Sequence, residues 1–137
     1  KIDMIGMGPY ILHKDTPLGQ EWEDIVPTTE KRVELGLKMI AITRIFLKDV
    51  NIAATTALQG LDPLGREKGL LAGANILMPT ATLQDYKGKY LLYDNKPGID
   101  DSVERAKALL DEKVKSVGDE IVYGEWGDSP YFKRKNS

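Results

Sequence analysis

Residues 2–7 (Ile2, Asp3, Met4, Ile5, Gly6, Met7) form a short, mostly apolar run, which predicts a strand. Gly8-Pro9 ends it, since proline cannot donate to a ladder and restricts its predecessor. Residues 10–29 carry Pro17, Gly19 and Pro27 with little periodicity and read as a long connection. The clearest helical pattern covers residues 30–48, with Thr29 as N-cap and Glu30 in the first turn. Val33, Leu37, Ile40, Ala41 and Leu47 recur at helical spacing. Met39, Ile42 and Phe46 add a second apolar side, so more than one face of this helix is expected to be covered. Residues 50–54 read as a buried strand with Thr55 and Thr56 at its C-terminal end.

Residues 62–72 follow as a helix, with Asp62 as N-cap, Pro63 at its first position and Gly73 just past its end. Residues 74–78 form a third apolar run, stopped by Pro79. A second long connection, residues 80–98, holds Tyr86, Tyr90 and Tyr93. Asp101 with Glu104 suggests a capping box for a helix over 101–117, with a stripe of Val103, Ala106, Leu110, Val114 and Val117 and a stop at Gly118. The tail, with Trp126, Tyr131, Phe132 and Lys133-Arg134-Lys135, is expected to fray. Each short apolar strand is followed by a helix, the order of parallel strands with crossover helices. Three such units make either a small open sheet or three of the eight units of a βα barrel.

Composition narrows the function classes. A chain of 137 residues is one domain, and 42% hydrophobic with 29% charged residues is ordinary for a globule. With 19 basic and 21 acidic residues there is no cationic excess for phosphates, so nucleic acid is not an expected partner. No run is long enough to cross a membrane as a helix. The absence of cysteine removes disulfides, thiolate-ligated metal centres and cysteine nucleophiles from this sequence. The sequence opens without methionine and already inside an apolar pattern, which suggests an excised piece of a longer protein.

Sites in parallel α/β folds gather at the C-terminal ends of strands. That selects Gly8, Pro9 and the loop beyond, Thr55 with Thr56, and Met78 with Pro79. Gly6 and Gly8 do not make a dinucleotide fingerprint, because the third glycine would fall at Ile11 and no helix follows at once. Thr55 and Thr56 can bond local backbone or hold an anion. His13 is the one histidine, too few for a common zinc site, and Asp15 could orient it as a base, but no nucleophile accompanies it.

These edge motifs carry a resemblance. Ile2-Asp3-Met4-Ile5-Gly6-Met7-Gly8-Pro9 with His13-x-Asp15-Thr16-Pro17-Leu18 resembles the sixth strand and loop of radical S-adenosylmethionine enzymes. The similarity is to the biotin-synthase-like group and, within it, to FeFe-hydrogenase maturases of the HydE type. Asn51-Ile52-Ala53-Ala54-Thr55-Thr56-Ala57 is similar to the seventh strand. Gly65-Arg66-Glu67 and Gly73-Ala74-Asn75-Ile76-Leu77-Met78-Pro79-Thr80 are similar to the seventh helix and eighth strand. The likeness covers most of residues 1–118, the region associated with biotin and thiamin synthesis, and leaves 119–137 as a tail.

The resemblance implies the last three units of a (βα)8 barrel, completed by an N-terminal part that carries a CxxxCxxC loop and its 4Fe-4S cluster. That cluster would reduce S-adenosylmethionine to a 5′-deoxyadenosyl radical. Gly8, Pro9 and Ile11 would line the adenine side of S-adenosylmethionine. Thr55 and Thr56 would bind an anionic or carboxylate end of a small substrate, and Met4 and Met78 would point into the same cavity. No catalytic residue and no metal ligand is expected in this chain, which by itself would be inert. A cytoplasmic location is expected. The alternative is a free-standing α/β binding module. In isolation the uncovered edges and apolar face would favour a homo-oligomer.

Overall fold

A computed structural model describes residues 2–21, 25–79, 82, 84–87, 89 and 102–136. Two short strands, β1 (Met4–Gly6) and β2 (Asn51–Ala53), pair in parallel, with Met4 opposite Asn51, Ile5 opposite Ile52 and Gly6 opposite Ala53. Ile76 adds a third parallel segment on the other side of β2 through a bridge to Ala53. Ala54 N donates to Ile76 O at 2.9 Å and Ile76 N to Ile52 O at 3.1 Å. The extended strand expected over 74–78 shrinks to this bridge for a local reason. The amide of Ile52 donates to the side-chain Oδ1 of Asn75 at 2.8 Å, so an Asn side chain stands where a ladder carbonyl would.

The chain between β1 and β2 carries α1 (Pro17–Glu21) and the long α2 (Thr29–Phe46). Thr28, one residue before the expected cap, accepts from Lys31 N at 3.3 Å, while Thr29 Oγ1 takes a bond from Arg32 Nη2. After β2 come α3 (Thr56–Leu61) and α4 (Gly65–Leu71). The first of these had no counterpart in the sequence pattern. Asp62 does not cap α4 as expected. Its Oδ1 accepts from Leu64 N at 2.9 Å, closing a turn before the helix begins. Gly73 ends this stretch at φ +115°, in the left-handed region that suits glycine.

Then follow α5 (Gln84–Lys87), α6 (Val103–Ser116) and α7 (Pro130–Lys135). The expected cap Asp101 lies outside the described residues, as do Tyr90 and Tyr93, and Ser102 caps α6 through Arg105 N. α6 packs on α4, and Lys113 Nζ reaches Glu67 Oε1 at 2.5 Å.

The core joins Ile5, Met7, Ile52, Ala54 and Leu77 from the sheet to Val33, Ile40 and Leu58 from the helices. At the N-terminal end of the sheet, Arg44 of α2 ties the pieces together. It donates to the carbonyls of Gly73, Lys48 and Val50, each at 2.8 Å, and to Asn75 Oδ1 at 3.0 Å. Asn75 Nδ2 in turn donates to Asn51 Oδ1 at 2.9 Å, and Asn51 Nδ2 to Gly127 O at 2.6 Å.

The tail does not fray. Ser129, almost fully buried, caps α7 through Phe132 N. Tyr131 N donates to Asp49 O at 3.1 Å, and Arg134 pairs with the Asp49 carboxylate at 2.6 Å. Fraying was expected from composition, but these contacts to the turn before β2 supply the anchorage that a loose end lacks.

Candidate functional site

Parallel strands fix one edge of the sheet as the place where their C-terminal ends meet. β1 delivers Gly8 and Pro9 there, β2 delivers Thr55 and Thr56, and the Ile76 segment delivers Met78. Strand alternation separates two faces. Ile5, Met7, Ile52, Ala54 and Leu77 face the helices and belong to the core. The alternate positions, Met4, Gly6, Gly8, Ala53, Thr55, Ile76 and Met78, therefore fall on the opposite face. The pleat thus brings Met4, Gly8, Thr55 and Met78 to one side of the sheet. Met4 stands apart along that face, at the N-terminal end of β1 opposite Asn51.

Gly8 and Thr55 meet directly. A Cβ on Gly8 would lie 2.5 Å from Thr55 Oγ1 and 3.3 Å from Ala57 Cβ. Thr55 Oγ1 is buried and has no hydrogen-bond partner, although Thr55 precedes α3 at its N-cap position. Such a hydroxyl costs about 1–3 kcal/mol when left unmatched. Thr56 opens α3 and is half-buried.

The loop after β1 is held from α2. Arg32 Nη1 donates to Tyr10 O at 2.8 Å, and Pro9 packs against Gly36, where a Cβ would come 3.4 Å from Pro9 Cδ. Ile11 is half-buried in the same loop. Met78 O accepts from Arg66 Nη2 at 3.2 Å, leaving the Met78 side chain half exposed.

His13 serves the loop itself. Its Nδ1 accepts from Asp15 N at 3.2 Å, so the neutral ring carries its proton on Nε2. The His13 carbonyl accepts from Thr16 Oγ1 at 2.8 Å, and Thr16 Oγ1 accepts from Gly19 N at 3.0 Å, capping α1. The spacing His13-x-Asp15-Thr16 is thus read as a turn and helix cap, a role that the sequence argument left open.

Clearly shifted acids sit on helices and turns away from this edge. Lys38 and Lys31 hold the Glu34 carboxyl at about 2, and a hydrogen bond from Lys68 lowers that of Asp62. Among the described residues no group of three metal-ligating side chains forms a cation site. Among them, too, no helix is long and apolar enough to cross a membrane.

No family model matches the chain. Over 94 residues, 69% of the chain, it is 47% identical to the [FeFe] hydrogenase maturase subunit HydE of Thermotoga maritima. The chain carries a HydE-like region. That matched stretch spans 25% of the length of the Thermotoga maritima protein.

The cofactors of a radical S-adenosylmethionine enzyme fit this region unequally. A thiolate-held 4Fe-4S cluster does not fit, because the sequence has no cysteine. What this region does offer is a buried hydroxyl without a partner, that of Thr55, beside Gly8 on the face away from the helices.

Proposed function

We propose that this chain is part of a radical S-adenosylmethionine enzyme of FeFe-hydrogenase maturation or related cofactor biosynthesis. It contributes the last three βα units of a (βα)8 barrel and one wall of the cavity for S-adenosylmethionine and substrate. The observation that carries this reading is the 47% identity over 94 residues to HydE. Parallel pairing of β1 and β2, with Ile76 beyond, supports it, as does the gathering of Gly8, Thr55 and Met78 on one face.

In the complete enzyme, cysteines of an N-terminal part would hold the cluster, and the radical chemistry would be supplied there rather than by this chain. This chain's own residues bind and orient. Gly8, Pro9 and Ile11 border the adenine. Thr55 and Thr56 offer hydroxyls to an anionic or carboxylate group of the substrate, and Met4 and Met78 line the same face. Alone, the chain has no redox centre of the thiolate kind and turns over nothing.

A chimera tests the proposal. The chain replaces the matched stretch of Thermotoga maritima HydE, the cluster is reconstituted without oxygen, and S-adenosylmethionine cleavage is assayed. Cleavage at a rate comparable to the parent is expected. A folded, cluster-loaded chimera that neither binds nor cleaves S-adenosylmethionine overturns the reading.

A further inference from the structure

The segment after β1 climbs α2 towards the N-terminus of that helix. Pro9 lies against Gly36, where a Cβ would come 3.4 Å from Pro9 Cδ and 3.3 Å from Leu58 Cδ2. One turn earlier, on the same face of α2, Arg32 Nη1 donates to Tyr10 O at 2.8 Å. Arg32 Nη2 donates to Thr29 Oγ1 at 3.1 Å, so the guanidinium is anchored to its own helix while it holds the loop. Its Nε is buried without a partner. An arginine that merely decorated the helix surface would keep that N–H in water, so the side chain is drawn onto the loop at the cost of a hydrogen bond.

This tie has no substitute. Among the described residues, no other hydrogen bond joins residues 8–12 to the rest of the fold. The next bonds begin at His13 and stay within its own turn, from Asp15 N to Nδ1 and from Thr16 Oγ1 to the carbonyl. Arg32 therefore decides how the peptide between Tyr10 and Ile11 is turned. In a planar trans peptide the C=O and the N–H point in opposite directions. With the Tyr10 carbonyl directed at Arg32, the Ile11 N–H is directed away from α2, and it has no partner among the described residues.

The third parallel segment is fastened in the same manner. Arg66, buried in the first turn of α4, donates to Met78 O at 3.2 Å, just past the Ile76 bridge. At two of the three strand ends on this edge, a helix arginine thus grips a backbone carbonyl from the helix side and leaves the other side of the chain to a ligand. We infer that Arg32 is a positioning residue for S-adenosylmethionine, which holds the Tyr10 carbonyl so that the unpaired Ile11 amide is presented on the adenine side. This rests on the maturase reading, in which Gly8, Pro9 and Ile11 border the adenine. Arg32 acts through the loop backbone and needs no contact with the ligand.

The test uses the HydE chimera for binding and cleavage of S-adenosylmethionine, and the 137-residue chain without ligand for the Ile11 amide resonance. In the chimera Arg32→Ala should raise the KM for S-adenosylmethionine about tenfold, the worth of one charge-assisted hydrogen bond. The rate at saturation should stay within about twofold, because an interaction made equally in ground and transition states moves KM alone. Arg32→Lys, which still offers a donor to the carbonyl, should recover most of the affinity. Lys38→Ala removes a positive charge from α2 at a site paired with Glu34, away from the loop, and should bind like the parent. In the ligand-free chain Arg32→Ala should move the Ile11 amide resonance and Lys38→Ala should not. An unchanged KM, a lower saturated rate at unchanged KM, or an equal loss in Lys38→Ala overturns the inference. If Arg32→Ala fails to fold, Thr29→Val decides: it frees Nη2 and should raise KM about threefold, and an unchanged KM again overturns the inference. A parent chimera that binds no S-adenosylmethionine defeats the maturase reading alone, and the Ile11 resonance then decides whether Arg32 sets the loop. A parent and an Arg32→Ala chimera that bind equally well defeat the positioning role alone.

Discussion

Gly8 lies against Thr55 so closely that a methyl group on its Cα would stand 2.5 Å from the threonine hydroxyl oxygen. β1 and β2 converge at this contact, and only a residue without Cβ permits it. Gly8→Ala should therefore destabilise the fold by about 1–3 kcal/mol, the usual range for overpacking. Gly6→Ala is the matched control, because a Cβ there meets nothing within 4 Å. Urea denaturation of both variants checks this, and equal midpoints would show that the edge yields without cost.

Thr55 itself should respond in two opposite ways. Its buried Oγ1 has no partner, so Thr55→Val replaces an unmatched hydroxyl by a methyl of similar shape. The isolated chain should hold its stability or gain about 1 kcal/mol. In the HydE chimera the same change should weaken substrate binding, because the hydroxyl offered to the anionic group is gone. Thermal denaturation of the chain and substrate affinity of the chimera together read the residue. A loss of stability in the isolated chain would place the hydroxyl in the fold rather than in ligand binding.

α6 is held on α4 by a charge pair with unequal ends. Lys113 Nζ reaches Glu67 Oε1 at 2.5 Å and Pro63 O at 3.3 Å, while Glu67 Oε2 is buried without a partner. Lys113→Met leaves the buried carboxylate uncompensated and should cost about 3 kcal/mol. Glu67→Gln combined with Lys113→Met should recover most of that loss, since no charge is then stranded. A double-mutant cycle measures the coupling. Additive losses would mean that α6 is held by its Leu110 and Val114 stripe alone.

Acid should act on α2 through Glu34. Hydrogen bonds from Lys38 and Lys31 hold its carboxyl at about 2 against an ordinary 4.5. A depressed folded value means that the stabilisation is complete above the unfolded value and is lost as pH falls through the folded one. Glu34→Gln should therefore differ from the parent chain at neutral pH and converge with it as pH drops from about 4.5 towards 2. The side chain is solvent-exposed, so the difference is small. Asp62→Asn should follow the same course, since Lys68 lowers that carboxyl too. Denaturation midpoints across this pH range check both, and a gap that widens on acidification would reverse the sign.

Hydrophobic pattern made α2, α6 and the two paired strands legible, because each has a periodic apolar face or a continuous apolar run. Glycine stops at Gly73 and Gly118 were legible for a different reason, since both adopt positive φ. What the pattern hid was set by side chains that replace backbone. Asn75 occupies a ladder position with its amide, which shortens the third strand. Asp62 spends its carboxylate on a turn, which delays α4. α3, six residues long with Leu58 as its one buried residue, has no period to detect. At the site, their place at the C-terminal end of a strand singled out Thr55 and Thr56, but not the difference between them. Thr55 is set apart by its approach to Gly8, which is 47 positions earlier and comes beside it only through strand pairing.

Asn51 donates its side-chain amide to the carbonyl of Gly127, which is 76 positions further along the chain. Biosynthesis runs in one direction, so the sheet emerges from the ribosome long before its cover does. Until Gly127 and α7 arrive, Arg44 and Asn75 are the groups that steady the N-terminal end of β2. The sheet therefore stays half-sealed at its Asn51 end until Gly127 and α7 have been made, an interval in which that open end is exposed to mispairing.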